Sequence, residues 1–481
     1  MSVTLALLIV YSIAQVALGL WIGRRVVANR DFFVAGRSLP AGLIFATFLA
    51  GNIGAGSTVG ATALAYREGI SAWWWNGSAG LGCLVLGLTV GPRMWREAAQ
   101  HGDLSIGDFL ERRYGRGVRG LTAVLIWFGT LSILAAQLLG ISTVLRAVSG
   151  VSTLGGCVVG AVIVTTYFVA GGLLSSAWVN LLQLCVKLAG FLIVTPLALA
   201  AAGGWHALPA DGARFDFLAS TGPMSGWRLL FALGPAFVVS PGLLQKAYGA
   251  RDERAVRLGI SANAVVLMLF GIVPVLLGLS ARALYPTLGS SDLALATLAA
   301  DAVTPAAGAL ALAAVFSAEV SAADAVLLML ATSASRDLYR GFVRPAASDA
   351  DVMRVARMAA VVGGVCGVGV ALAYGSVGAA IGVFYAILTV TLFVPIFGAL
   401  YVRGTGRHEG LASILAGVPV LAITQYMSGG RGYGVLSPAL AGVLASAAAF
   451  LVAHWAAPST PLNSSLYAEE IQPEKERKGA D

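Results

Sequence analysis

Three ionisable side chains, Lys187, Glu319 and Asp324, stand inside long apolar stretches. At the centre of a membrane-crossing helix such a group costs about 2.5 to 3.5 kcal/mol, so each is expected to have a partner and a task. The chemistry open to them is ion pairing, cation binding and proton transfer. Lys187 lies roughly 16 Å along its stretch from Ser176 at about 1.5 Å per residue, near a bilayer midplane. If Asn180 faces the neighbourhood of Ser321 to Asp324 on an antiparallel partner, the rise to Lys187 ends opposite Ser317, within a turn of Glu319. That predicts a Lys187–Glu319 pair bordering an ion site, with the ammonium taking part of the work of a missing cation. A purely structural pair, or a lysine reaching for lipid headgroups, is the competing reading. Asp324 is read as a cation or proton site, set against a structural role. No nucleophile with a base accompanies these groups, and His101, His206, His408 and His454 are scattered without metal spacing, so an enzyme is not expected.

Two interruptions point to the same depth. One apolar stretch contains Gly51-Asn52-Ile53-Gly54-Ala55-Gly56-Ser57, and a later one contains Gly234-Pro235 and Pro241-Gly242. Irregular backbone inside a bilayer is tolerated only where protein or a water-filled cavity satisfies it. Matched breaks in two halves of a chain mark a midplane ligand site; close helix packing through small residues is the alternative. Ser57 at the first break and Gln137 on a neighbouring stretch are candidate solute contacts. Trp73-Trp74-Trp75 reads as a headgroup belt, with an outer gate as the second choice. The glycines after Gly51 are no dinucleotide fingerprint, since neither a preceding strand nor a βαβ unit is present.

The elements that carry these residues are membrane helices. Of the 481 residues 58% are hydrophobic and only 11% charged, with mean hydropathy +0.83, which excludes a soluble enzyme and a disordered chain. Windows of about 19 residues give thirteen candidate spans. Residues 1–39 form a first outer helix and inside loop, 40–203 a five-helix block, 204–226 an outside loop, 227–402 a second five-helix block, 403–457 two last helices, and 458–481 a disordered cytoplasmic tail. An odd number of helices per block inverts the second relative to the first. The first span has no Lys or Arg before Arg24, so it reads as an uncleaved helix and not a signal peptide. Most of the 31 Lys and Arg then fall on one side, leaving Arg67, Arg146, Arg214, Arg228, Arg282 and Arg431 on the other. This places the amino terminus outside and the carboxyl terminus in the cytoplasm. The net charge of +8 is thus a topology signal, and no nucleic-acid partner is expected. Cys83, Cys157, Cys185 and Cys366 sit in apolar segments and suggest no redox chemistry.

Several blocks, in order, resemble the sodium/solute symporter family, which includes sodium/glucose, proline, iodide and pantothenate carriers. They are Asp31-Phe32-Phe33-Val34-Ala35-Gly36-Arg37, Asp108-Phe109-Leu110-Glu111-Arg112-Arg113-Tyr114-Gly115, Gly171-Gly172 with Trp178-Val179-Asn180-Leu181-Leu182-Gln183, Pro241-Gly242-Leu243-Leu244-Gln245-Lys246, and Ser321-Ala322-Ala323-Asp324 with Asp337-Leu338-Tyr339. The resemblance spans roughly Asp31 to Val402. It implies an all-α polytopic fold with a five-plus-five inverted-repeat (LeuT-like) core, one helix before and two after, working by alternating access. It also implies a sodium site from the carbonyls of Ala50, Ile53 and Ala318 and the hydroxyl of Ser321; a Ser321 bonded back to its own helix is the bland reading. This chain departs twice. Ala322 replaces a family Ser or Thr, removing one oxygen, and Asn180 replaces a family Asp. Asn52 and Gln183, beside these positions, join Asn180, Lys187, Glu319 and Asp324 as coupling or ion-pair candidates.

The expectation is a multi-pass cell-membrane transporter importing a small polar solute by symport with sodium, with protons as the possible substitute ion. A proton-coupled or uncoupled facilitator on the same scaffold is the first alternative. A membrane sensor with a separate signalling partner is the second. The partners expected are the solute and the bilayer, with no obligatory protein.

Overall fold

The computed structural model describes residues 3–26, 28–208, 216–218, 226–374, 377–433 and 436–456. The expected tail 458–481 lies outside the described residues, as does most of the expected outside loop 204–226. Every regular element among the described residues is helical; the remaining pairing is two isolated bridges, Leu39 with Ala250 and Tyr433 with Leu436.

Helix α1 covers Val3–Gly23, followed after a short helical turn by α2 over Ala41–Asn52. The chain breaks at Ile53, resumes through a wide turn at Gly56–Gly60 and continues as α3 over Ala61–Glu68. Then come α4 over Trp73–Val85, α5 over Gly91–His101 and the short α6 over Ile106–Tyr114, whose Ser105 cap accepts from the Asp108 amide. Long helices α7 (Arg116–Ser149) and α8 (Thr153–Ala201) complete the first block. The second opens on α9 (Trp227–Val239), a non-helical Ser240 and α10 (Pro241–Tyr248). It continues through α11 (Glu253–Phe270), α12 (Ile272–Leu284), α13 (Pro305–Thr332), α14 (Asp349–Tyr374) and α15 (Val377–Tyr401). Helices α16 (Arg407–Met427) and α17 (Pro438–Ala456) pack on each other at the end.

Among the described residues ten helices are long and apolar enough to cross a membrane, or eleven if the pair Ala41–Asn52 and Gly56–His101, bent by 61°, counts as one span. Two runs counted once in this number are each long enough to cross twice, so it leaves room for the expected thirteen. Residues Thr153–Ala201 form one run of 49 residues, interrupted only by Gly172 at φ 51°, ψ −138°. At about 1.5 Å per residue that is more than twice a hydrocarbon layer of roughly 30 Å. A Cβ at Gly172 would lie 2.4 Å from the Phe32 carbonyl, so this position requires glycine twice over. Residues 56–101 likewise run on, past Gly69 at φ 81°. Window hydropathy divides such tracks at small polar gaps that the backbone bridges.

The second interruption is narrower than the Gly and Pro residues suggest. Pro235 is absorbed inside α9, and only Ser240 (φ −56°, ψ 121°) leaves the helix, with Pro241 opening α10 where its missing N–H costs nothing. Small residues set the tightest contacts around the core. A Cβ at Gly190 would meet Ala314 Cβ at 2.4 Å and one at Gly82 the Gly234 carbonyl at 2.4 Å, so α8 lies close on α13 and α4 on α9.

Candidate functional site: a cation cluster and a neutral cavity at the broken helix

The last carbonyls of a helix lack intrahelical partners and carry the negative end of its dipole. In α2 these belong to the turn ending at Asn52, where Ile53 turns away at φ −89°, ψ 88°. Two buried lysines lie against this part of the helix, and one of them takes two of the freed carbonyls. Lys187, from α8, donates from Nζ to the Ala50 carbonyl at 2.8 Å, the Ile53 carbonyl at 3.1 Å and Ser321 Oγ at 2.6 Å. Ser321 Oγ lies 2.7 Å from the Ala50 carbonyl and 2.9 Å from that of Ala318. Ala50, Ile53, Ala318 and Ser321 therefore form one cluster of oxygens, and the Lys187 ammonium contacts three of the four.

Lys246 is the second. The loop position expected for it from charge counting is a correction to make: it is fully buried on α10, and its Nζ donates to the Thr47 carbonyl at 2.8 Å. The eight-residue half-helix after Ser240 carries it inward. One sequence signal bears on it. A Cβ at Gly51 would meet Lys246 Nζ at 2.8 Å, so the glycine of the break also makes room for this side chain.

The antiparallel register of α8 and α13 is as reasoned, with Ser176 Oγ bonded to Asp324 and Ser317 Oγ donating to the Gln183 carbonyl at 2.9 Å. The expected direct Lys187–Glu319 pair is not made. The lysine chain lies back along the partner to Ser321, where three oxygens satisfy three N–H groups, and Glu319 acts on it through space. The Glu319 carboxylate accepts from Thr58 Oγ1 at 3.2 Å instead. A Cβ at Gly140 would lie 2.7 Å from that carboxyl carbon. Gly140→Ala is thus expected to lower stability by about 1 to 3 kcal/mol, read as a lower melting temperature of the purified protein. Glu319 Oε2 and Asp324 Oδ1 are buried without a hydrogen-bond partner among the described residues.

The other candidates divide between support and cavity. Asn180 Nδ2 donates to Thr47 Oγ1 at 2.9 Å, and Gln183 Nε2 donates to Gln15 Oε1 on α1, so both tie α8 to its neighbours. Asn52 Nδ2 donates to Asn263 Oδ1 at 3.2 Å on α11, while Ser57 Oγ bonds back to the Asn52 carbonyl. Asn52, Ser57 and Gln137 line a cavity of about 60 Å³ with Gly51, Gly54 and Gly56 of the first break and Phe237, Ser240 and Gly242 around the second. Gln137 Oε1 accepts from the Ala55 amide at 2.9 Å, which fixes the orientation of the side-chain amide. Ser240 and Tyr385 also belong to the lining. Phe237 and Tyr385 face each other with centroids 5.3 Å apart. No Lys, Arg, His, Asp or Glu is in this lining.

The end of the bundle that holds α6 carries a charged network that was not anticipated as a site. Arg119 bonds Asp108 at 2.9 Å, Asp337 at 3.1 Å, Glu111 and the Arg336 carbonyl, and Arg336 bonds Asp108 at 3.0 Å. Burial alone would raise the Asp108 carboxyl, but Arg336 and Arg119 overcome it and hold the group at about 2. Nearby Asp103 goes the other way, pushed up to about 6 by burial that Arg112 only partly offsets. The blocks quoted for the resemblance supply most of these residues, and they join the α6 cap to the inner end of α13.

Comparison with known proteins follows the same lines. The sodium:solute symporter family model matches residues 32–417. The sodium/glucose cotransporter of Vibrio parahaemolyticus is 22% identical over 472 residues, covering 87% of this chain and 84% of that protein. The sodium/pantothenate symporter of Escherichia coli is 24% identical over 364 residues, covering 69% and 70%. Among solved structures, an outward-open, substrate-bound Na+-coupled sialic acid symporter superposes with a TM-score of 0.82 at 17% identity, covering 96% of this chain and 99% of that one.

Proposed function

Because the chain belongs to the sodium:solute symporter family, we propose that it is a secondary active transporter that imports a small, uncharged polar solute by alternating access. On this reading residues 40–203 and 227–402 are the inverted repeats, 403–457 the two added helices, and the carboxyl terminus is cytoplasmic. The observation that carries it is the cavity bounded by both breaks, at Ile53 and at Ser240. Unwound backbone there offers hydrogen bonds that a travelling solute can take in either orientation of the carrier. Gln137, Ser240 and Tyr385 would bind hydroxyl or amide groups, and Phe237 with Tyr385 would cover an apolar face. Energetically, one cation moving down 100 mV releases about 2.3 kcal/mol, enough for roughly 40-fold accumulation.

Purified protein in liposomes, given a solute panel under imposed sodium or proton gradients, tests this reading. Matched pairs such as glucose with glucuronate and nicotinamide with nicotinate separate neutral from anionic solutes. Counterflow of neutral members is expected; preference for the anions, or no counterflow of any member, would refute the proposal as stated. For a solute that is carried, Gln137→Ala is expected to raise KM about tenfold, the cost of roughly 1.4 kcal/mol of binding. An unchanged KM would remove Gln137 from the binding site. Sodium is the driving ion that the family suggests. The second reading, coupling to protons, is favoured by one observation, the Lys187 ammonium seated on the oxygens expected for sodium.

A further inference from the structure

We propose that Lys187 is a tethered cation that permanently takes the place of sodium at the broken helix, so that this site binds no metal ion in the natural protein. The inference rests on the transporter reading only for the purpose of the site; its geometry stands independently.

A hard cation would be held here by the Ala50, Ile53 and Ala318 carbonyls and the Ser321 hydroxyl. Lys187 Nζ lies 2.8 Å, 3.1 Å and 2.6 Å from three of these oxygens. An ammonium has three donors and no acceptor, so its three N–H groups match three oxygens with none left over. An ion entering the cluster would have to sit against this nitrogen and take the same lone pairs. Lys246, bonded to the Thr47 carbonyl about a turn earlier in the same helix, adds a second positive charge that acts on Lys187 and opposes a third. The residues therefore do not fit sodium. Two features of the chain agree. Ala322 supplies no oxygen where a metal would need one, and Asn180 donates to Thr47 and brings no negative charge. The half-helix end keeps a cation nonetheless, because its unpaired carbonyls require one.

Removing the ammonium side chain should open a site for a free cation. The test uses purified full-length protein and reads the melting temperature in 100 mM sodium chloride minus that in choline chloride at equal ionic strength. The natural protein is expected to show no sodium-specific shift. Lys187→Ala is expected to gain one of about 2 °C or more, also produced by methylammonium, and to lose it again when Ser321→Ala is added. A sodium-specific shift in the natural protein that Ser321→Ala abolishes would overturn the proposal. So would a folded Lys187→Ala protein that responds to neither cation. Should that variant fail to fold, the comparison of the natural protein with Ser321→Ala alone still decides the matter. No solute enters this measurement, so its failure is separate from a failure of counterflow, which speaks only to transport.

Discussion

Replacing Lys187 by methionine is expected to reduce solute counterflow at least about 100-fold and to lower stability by about 3 kcal/mol. Methionine nearly matches the volume and flexibility of the lysine stem, so packing between α8 and α13 is kept while the charge and three N–H groups are lost. The Ala50 and Ile53 carbonyls would then be buried with no cation, and only Ser321 would remain to bond the first of them. Since Ile53 is where α2 leaves its helix, the geometry of the cavity wall should loosen with it. Melting curves and liposome counterflow, run on the same preparation, measure both effects. Unchanged transport with an unchanged melt would show that the ammonium neither holds the break nor serves the cycle.

Arg119→Ala should be the most damaging change in the charged network beside α6, costing about 3 to 5 kcal/mol. Its guanidinium bridges Asp108, Glu111 and Asp337, and removing it leaves Asp337 without its ion-pair partner, Asp108 with Arg336 and Glu111 with the exposed Arg116. The pH dependence gives a second readout. Asp108 is held at about 2, below an unfolded value near 3.9, so its share of stability is present above about pH 4 and lost as pH falls through 2. Without Arg119 the carboxyl should titrate nearer its ordinary value, and the variant should lose stability at higher pH than the natural protein. An acid limb that does not move would mean that Arg336 alone sets the charge of Asp108.

The sequence alone determined that the chain lies in a membrane, that two of its helices are broken, and that Lys187, Glu319 and Asp324 gather near the breaks. These follow from composition and from short-range constraints: apolar windows of bilayer length, glycine and proline where backbone must unwind, and the cost of a charge in hydrocarbon. The register that brings Asn180 toward Asp324 also came from helix rise alone. What only the tertiary structure decided is where long side chains end. Lysine has four rotatable bonds, so backbone register cannot tell a reach straight across to Glu319 from a reach back to Ser321; the competition among nearby oxygens settles it, and the three at the break win. Lys246 shows the same limit more strongly, because charge counting treats every lysine near a span end as solvated, whereas the turn at Ser240 carries this one under α2. How glycines divide these runs is a related matter: hydropathy windows see polarity, but whether a glycine ends a helix, as at Ile53 to Gly56, or turns the chain inside one long run, as at Gly172, depends on what packs against its missing Cβ.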